Sequence, residues 1–297
     1  MIEFIVEYLR GKVEKINFLS EKELNNFYEA SKQYHLIGFL ASIHKLSNDV
    51  RFRKFANLRR ALVAKNLIMT NDLDLISNAF YKDRINFCIL KGAALNKADI
   101  YEPGIRFFRD IDILVDKDDL EKAFNSLNRI GFKYKNKFCK NSCVILGKKH
   151  HLPVMSNENN TFVELHHRVT LEKIFQDCPI TKNILKDKIF INNTYVPSQD
   201  GFLAHALYHG FKHQKETIGP IPLFDIQAIT KKYKLNLSYQ NNYIESLKMT
   251  KKMKEIKTFF DYVESENNYD NIYKRLNDIQ ENIVMDNIVQ NQIHIFD

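Results

Sequence analysis

The sequence predicts an α+β fold in which a mixed sheet is flanked by N-terminal and C-terminal helical segments. Three observations lead to this prediction. Apolar residues recur at a helical period before residue 85, short apolar and alternating runs follow up to residue 199, and helical patterning then returns. We therefore expect a helical region at 1–84, an α+β core at 85–199 and a helical region at 200–297.

Helical spacing marks the N-terminal region. Two apolar sets fall near a period of 3.6 residues, namely Leu36, Ile37, Phe39, Leu40, Ile43 and Leu46, and then Leu67, Ile68, Leu73, Leu75 and Ile76. Between them lies RFRKFANLRR (51–60), a basic stretch with interleaved Phe residues. Such a stretch either contacts phosphate or forms a solvated helix face, and the second is more common.

Strand patterning begins in the central region. INFCILKG (85–92) is a short apolar run closed by glycine, which predicts a buried strand, and AALNKADIY (93–101) predicts a helix. EPG (102–104) breaks that helix, and RFFRDIDILVD (106–116) then alternates as a half-buried strand does.

The second half of this region predicts a helix and a hairpin. KDDLEKAFNSLNRIGF (117–132) has acidic residues in its first turn and Gly131 as a stop. FKYKNK, SCVILGKKHHLPVM and TFVELHHRV (161–169) are typical of two or three strands, and SNENN (156–160) predicts the turn of a hairpin.

The C-terminal region returns to helical patterning. DGFLAHALYHGFKHQ (200–214) predicts a helix with Asp200 as its N-cap. PLFDIQAITKKY (222–233) predicts a second helix, in which Asp225 has the position of a buried polar anchor. Residues 239–297 are polar and weakly periodic, so small helices are expected there.

Composition and charge fit a globular protein. The chain has 44 basic and 36 acidic residues, a net charge of +8, which suits a nucleotide, an RNA or an acidic surface, or reflects Lys-rich composition. The four cysteines, Cys88, Cys139, Cys143 and Cys178, form neither paired zinc motifs nor a disulfide framework. With no signal-peptide pattern and no long apolar run, we expect a reduced, cytoplasmic protein without a membrane span.

Asp110 and Asp112 provide the main chemical signal. Residues two positions apart in a strand point to the same face, so the two carboxylates project together. Adjacent carboxylates repel each other unless a cation neutralises them, and oxygen ligands of this kind suit Mg²⁺. The pair alone is a weak indication, because an edge strand also carries solvated Asp residues.

The surrounding segments strengthen this indication. Lys91-Gly92 leads from the first strand into a helix, and a helix N-terminus favours phosphate binding. Arg106 and Arg109 precede the acidic pair and suit bidentate phosphate binding. Glu164 places a third carboxylate on a later strand. Together these parts are typical of two-metal phosphoryl chemistry.

In these segments the sequence resembles the nucleotidyltransferase superfamily that includes DNA polymerase β, and specifically its uncharacterised bacterial branch. The resemblance covers roughly residues 35–230. It is carried by LKGAAL (90–95), YEPGIRFFRDIDILV (101–115), HHLPV (150–154) and VELHHRV (163–169), and it extends to LAHALYHGFKH (203–213) and LFDIQAI (223–229).

The resemblance implies a nucleotidyltransferase that uses Mg²⁺ or Mn²⁺. Asp110, Asp112 and Glu164 would hold two metal ions as the catalytic residues, and Gly92 with the following helix would receive the triphosphate of an NTP such as ATP. One metal would activate an acceptor hydroxyl, and the other would stabilise the leaving pyrophosphate.

The phosphate loop departs from the wider superfamily. It reads Gly92-Ala93, where relatives usually have Gly-Ser or Gly-Gly, so Lys91 is expected to substitute as a phosphate contact. The acidic pair begins 18 positions after Gly92 (110 − 92), which is longer than in many relatives.

Histidines supply further candidates. His205, His209 and His213 recur every four residues, which is compatible with a zinc site, a hydrogen-bonding role or a substrate contact, but no H-E-x-x-H motif is present. His166 shares the face of Glu164 by the period-two rule. We therefore take His166 and His209 as substrate-side candidates.

The predicted function is transfer of a nucleoside monophosphate from an NTP to an acceptor hydroxyl. The acceptor is a small molecule, a protein or an RNA end, and fold alone does not identify it. Two other classes stay open: a non-catalytic nucleotide-binding or toxin–antitoxin-type regulatory protein of the same fold, and a zinc hydrolase that uses the helix histidines. Analysis of bound metal separates these classes.

Overall fold

The computed structural model describes residues 2–16, 20–33, 35–46, 48–134, 151–170, 179–213, 219–238 and 241–280. The chain forms two compact units. The helical unit comprises Met1–Leu62, Ala206–Gln240 and Lys248–Asp297, and the sheet unit comprises Val63–His205 and Asn241–Leu247. The division into 1–84, 85–199 and 200–297 stays a prediction. Among the described residues, no helix combines the length and apolar character needed to cross a membrane.

Helices account for most of the described chain. They are α1 (Ile2–Arg10), α2 (Glu21–Gln33), α3 (Ile37–Ile43), α4 (Ala56–Lys82), α5 (Lys91–Lys97), α6 (Leu120–Arg129), α7 (Ile180–Asp187), α8 (Gln199–Tyr208), α9 (Ile221–Tyr233), α10 (Asn242–Ser246), α11 (Thr250–Ser265) and α12 (Tyr269–Gln280). The last two are longer than the small helices that the polar composition predicted.

Five strands in the described part of the chain form a mixed sheet. They are β1 (Phe87–Ile89), β2 (Asp110–Val115), β3 (Lys133–Tyr134), β4 (Met155–Ser156) and β5 (Phe162–His166), in the spatial order β1-β2-β5-β4-β3. Only β2 and β5 run parallel among these pairs, whereas β1 with β2, β3 with β4, and β4 with β5 are antiparallel. A separate hairpin contains β6 (Ile189–Ile191) and β7 (Thr194–Val196). The α+β prediction with flanking helices is confirmed.

Only part of the apolar set predicted for α4 is buried. Leu67, Ile68 and Leu75 are exposed, with 54%, 47% and 59% of their surface accessible. Leu73 and Ile76 of the predicted set are buried, in a stripe with Met69 and Phe80 whose members are three or four residues apart. Because apolar residues lie all around this helix, the apolar pattern alone did not identify the buried side.

The C-terminal end of α6 tests the predicted role of Gly131. Gly131 ends α6 as predicted: at φ 98° it donates to Asn128 O at 3.3 Å, while Phe132 N donates to Leu127 O at 3.0 Å. These are the two hydrogen bonds of a Schellman motif.

The prediction of Asp200 as an N-cap is wrong. Helix α8 begins one residue earlier, at Gln199, and Ser198 Oγ accepts a hydrogen bond from Gly201 N at 3.3 Å, as an N-cap side chain does. Asp200 Oδ1 instead accepts from Asn241 Nδ2 at 3.3 Å.

The basic stretch at 51–60 has local partners. Arg51 pairs with Asp49 at 2.5 Å, and Lys54 Nζ lies 2.9 Å from Glu21 Oε2. These ion pairs support the interpretation as a solvated surface over the interpretation as a phosphate site.

Helix α4 holds the hairpin that leads into β5. Asp72 is buried, and its carboxylate accepts from Asn159 Nδ2 at 3.0 Å and from the hydroxyl of Thr161. Thr161 directly precedes Phe162, the first residue of β5. The predicted turn at 156–160 is confirmed, since Met155 and Ser156 pair with Val163 and Phe162.

Candidate metal centre

The parallel pairing of β2 and β5 brings the acidic residues together. In this register Asp112 is opposite Glu164, and Leu114 is opposite His166. Since alternate residues share a face, Asp110, Asp112, Glu164 and His166 all belong to one side of the sheet. The other side carries fully buried apolar side chains, such as Ile111, Ile113, Val163 and Leu165.

Asp112 is the buried centre of this arrangement, with 1% of its surface exposed. Its Oδ1 lies 2.5 Å from Nζ of Lys91 and 2.8 Å from Nε2 of His166. Burial alone would raise the pKa of Asp112, but the charge of Lys91 and the hydrogen bond from His166 hold it well below its usual range. These surroundings favour the ionised form of Asp112.

Lys91 reaches Asp112 from a strained backbone position. It is the first residue of α5 and has a φ of 51°, in the left-handed region. For a residue other than glycine this conformation costs about 1–2 kcal/mol. Burial would lower the pKa of Lys91, but the charge of Asp112 and the hydrogen bond to it, together with the charges of Asp110 and Glu164, raise it overall. Lys91 therefore supplies a fixed positive charge.

Gly92 allows the close approach of the segment before β2. A Cβ atom at Gly92 would lie 2.6 Å from Cβ of Phe108, closer than real Cβ contacts allow. Gly92 and Ala93 are both buried in the first turn of α5. The requirement for glycine here is therefore steric, and Phe108 lies only two residues before Asp110.

The other two carboxylates differ in their electrostatic surroundings. Burial, followed by the negative charge of Asp112, raises the pKa of Asp110 to about 6. The hydrogen bond from His166 lowers the pKa of Glu164. For His166 itself, burial would lower the pKa, but hydrogen bonding to Asp112 and Glu164 raises it overall.

Three of these side chains fit a metal ion. One ligand atom each from Asp112, Glu164 and His166 all lie within 4.8 Å of one another, the only such group among the residues that the structure describes. Two carboxylates and an imidazole are a suitable donor set for a divalent cation. Asp110 lies outside this group, whereas the sequence predicted Asp110, Asp112 and Glu164 as the metal ligands.

His166, predicted as a substrate-side residue, lies instead with Asp112 and Glu164 in this group. The signal was available, because Glu164 and His166 are two residues apart on one strand, as Asp110 and Asp112 are.

The predicted phosphate-binding arginines lie on the segment that leads into β2. Arg106 is half-buried, and its Nη1 donates to the backbone oxygen of Phe107 at 3.0 Å. Arg109 is exposed at the entry to β2. Their assignment as phosphate contacts stays a prediction.

The helix histidines do not follow one continuous α-helix. His205 is in α8, but His209–His213 form a π-helical turn, so the predicted spacing of one α-helical face is lost. The side chain of His213 lies outside the described residues. His205 and His209 belong to different units, and the role of His209 as a substrate contact stays a prediction.

The remaining cysteines and part of the predicted strands lie outside the described residues. This applies to Cys139, Cys143 and Cys178, and to residues 135–150. Cys88, on β1, is a buried free cysteine, and burial raises the pKa of its thiol.

Comparison with known proteins identifies the class to which this fold and site belong. The model of a family described as uncharacterised nucleotidyltransferases matches residues 21–256. The chain belongs to this nucleotidyltransferase family, and the resemblance found in the sequence is confirmed. No curated protein matched the chain, and no solved structure did.

Proposed function

We propose that this protein transfers a nucleoside monophosphate from an NTP to the hydroxyl group of an acceptor. The observation that carries the proposal is the meeting of Asp112, Glu164 and His166 on one face of the parallel strand pair, in a chain of a nucleotidyltransferase family. Mg²⁺ or Mn²⁺ is the proposed cofactor, because carboxylate oxygens bind both ions.

The proposed reaction is an in-line displacement at the α-phosphorus. The acceptor oxygen forms a bond to the α-phosphorus, the bond between that phosphorus and the α–β bridging oxygen breaks, and pyrophosphate leaves with the electron pair. The hydroxyl proton passes to solvent. A divalent ion, when bound, would polarise the acceptor hydroxyl and neutralise the phosphate oxygens.

The chain's own residues would position the reactants. Asp112 and Glu164 would hold the ion, and Asp110 would complete the acidic face beside it. Lys91 would exchange its contact with Asp112 for one with the triphosphate, since both partners are anionic oxygens. Arg106 and Arg109 would add charge at the outer phosphates.

A labelling experiment tests the reaction and finds the acceptor class. Purified protein is incubated with each α-labelled NTP, with Mg²⁺ or Mn²⁺, and with cell extract separated into protein, RNA and small molecules. Parallel reactions carry the label at the γ-phosphate. The proposal expects the α-label to appear on the acceptor. The γ-label is expected in free pyrophosphate and not on the acceptor.

Two results would count against the proposal. Transfer of γ-label to an acceptor would indicate a phosphotransferase. Binding of NTP without pyrophosphate release in every fraction would favour the regulatory, non-catalytic alternative.

A further inference from the structure

Nε2 of His166 faces two carboxylate oxygens at unequal distances. It lies 2.8 Å from Oδ1 of Asp112 and 3.4 Å from Oε2 of Glu164. An imidazole nitrogen carries at most one proton, and N–H···O bonds span roughly 2.7–3.2 Å. The single Nε2 proton is directed mainly at Asp112, and Glu164 at 3.4 Å receives only a long, shared contact.

A shared cation accounts for both separations. Consider two ligand atoms that each lie about 2.1 Å from one ion. They are about 3.0 Å apart when the ligand–ion–ligand angle is a right angle, and about 3.4 Å apart when it is tetrahedral. The distances from Nε2 to the two carboxylates, 2.8 Å and 3.4 Å, are close to these values. The strand register that pairs Asp112 with Glu164 and Leu114 with His166 fixes this geometry.

We propose that Nε2 of His166 is a metal ligand, and that the nucleotide-free protein binds a divalent first-row transition ion, with Mn²⁺ as the probe, in preference to Mg²⁺. An imidazole nitrogen suits transition ions, whereas Mg²⁺ is bound by oxygen ligands and keeps several waters. The inference rests on the proposed function, because it names the cation of that same site.

Lys91 supplies an independent prediction for this site. Its Nζ lies 2.5 Å from Oδ1 of Asp112, so its charge opposes a cation bound there. Lys91→Met removes that charge while keeping an unbranched side chain. This variant is expected to bind Mn²⁺ at least about threefold more tightly than the natural protein.

The test measures metal binding rather than catalysis. Mn²⁺ is titrated into nucleotide-free protein and followed by the electron paramagnetic resonance signal of the free ion, alone and in competition with Mg²⁺. His166→Gln is compared with His151→Gln, whose ring lies 5.2 Å from the His166 ring but is outside the metal group. His166→Gln is expected to weaken Mn²⁺ binding at least about tenfold and Mg²⁺ binding much less, while His151→Gln keeps both affinities.

Pulsed electron paramagnetic resonance of the natural protein tests the ligand without relying on the folding of a variant. Mn²⁺ bound to the natural protein is expected to show coupling to a ¹⁴N nucleus of a coordinated imidazole, and His151→Gln is expected to retain it. Absence of this coupling, or an unchanged Mn²⁺ to Mg²⁺ preference in folded His166→Gln, would overturn the inference.

Failure of the inference and failure of the proposed function give different results. Suppose that α-label is transferred with Mg²⁺ alone, that His166→Gln transfers it at the same rate, and that no ¹⁴N coupling is seen. These results would exclude His166 as a ligand and leave the proposed reaction in place. Nitrogen coupling without transfer of α-label to any acceptor would support the ligand and contradict the reaction.

Discussion

Asp112 and Glu164 are opposite each other on two parallel strands that are far apart in sequence, and this pairing creates the acidic centre of the sheet unit. Asp112 is buried, whereas the side chain of Glu164 is 19% exposed. The centre thus has an inner carboxylate, ionised by its neighbours, and an outer carboxylate at the solvent side.

Glu164→Gln tests the outer carboxylate. The amide keeps the shape of the side chain but removes the charge, so affinity for divalent ions is expected to fall at least about tenfold, and nucleotide turnover with it. Calorimetric titration with Mn²⁺ measures the first effect. The matched control is Glu158→Gln on the exposed hairpin turn, which should bind Mn²⁺ as the natural protein does. Equal affinities in the two variants would contradict the assignment.

Lys91→Met tests the phosphate contact. We expect affinity for an NTP to fall about tenfold more than affinity for the matching NMP, because the lost charge-assisted contact involves the outer phosphates. Equilibrium binding of both nucleotides measures the difference. Lys122→Met, an exposed site on α6, is the control and should alter neither affinity. Equal losses for NTP and NMP would exclude Lys91 from the triphosphate site.

Gly92→Ala tests the close packing beneath the phosphate loop. The added methyl group would lie 2.6 Å from Cβ of Phe108, so the loop must shift at a cost of about 1–3 kcal/mol in the free energy of unfolding. Urea denaturation measures this loss. Ala93→Gly, the next residue of α5, should cost only about 0.5–1 kcal/mol. A Gly92→Ala protein as stable as the natural one would show that the approach is not tight.

Arg10→Met tests the buried ion pair between Arg10 and Glu7 in the helical unit. The Arg10 side chain pairs with buried Glu7 at 2.6 Å and donates to the backbone oxygens of Val263, at 2.9 Å, and Glu266, at the end of α11. Its loss leaves the buried Glu7 carboxylate without its cationic partner, with the Tyr269 hydroxyl still donating to it at 3.2 Å. The free energy of unfolding should therefore fall by about 3–5 kcal/mol. Thermal or urea denaturation measures the change.

The control for this prediction is Lys32→Met. Lys32 also pairs with a glutamate, Glu29 at 2.7 Å, but both side chains are largely exposed, so its loss should change stability little. Equal effects in the two variants would mean that burial does not determine the strength of the Arg10 contact.

Much of the fold and part of the site could be predicted from the sequence. The alternation around Asp110 and Asp112 predicted a strand with both carboxylates on one face, and Gly131 predicted the end of α6. These features depend on local periodicity and local backbone geometry, which a single segment contains.

The remaining features depend on contacts between distant segments. The pairing of Asp112 with Glu164 requires a register that neither strand specifies alone. The contact between Lys91 and Asp112 requires a left-handed lysine, which residue type does not predict. Leu67 and Leu75 are exposed because tertiary packing selected another side of α4.

The most direct test of the central claim compares Asp112→Asn with Asp118→Asn in the α-label transfer assay. Asp112 is buried and is the proposed metal ligand, whereas Asp118 is exposed a few residues after β2. We predict that Asp112→Asn, folded by circular dichroism, loses at least about a thousandfold in divalent-dependent transfer of α-label, and that Asp118→Asn retains the natural rate. Transfer that survives in folded Asp112→Asn at the rate of Asp118→Asn would contradict the assignment of this site.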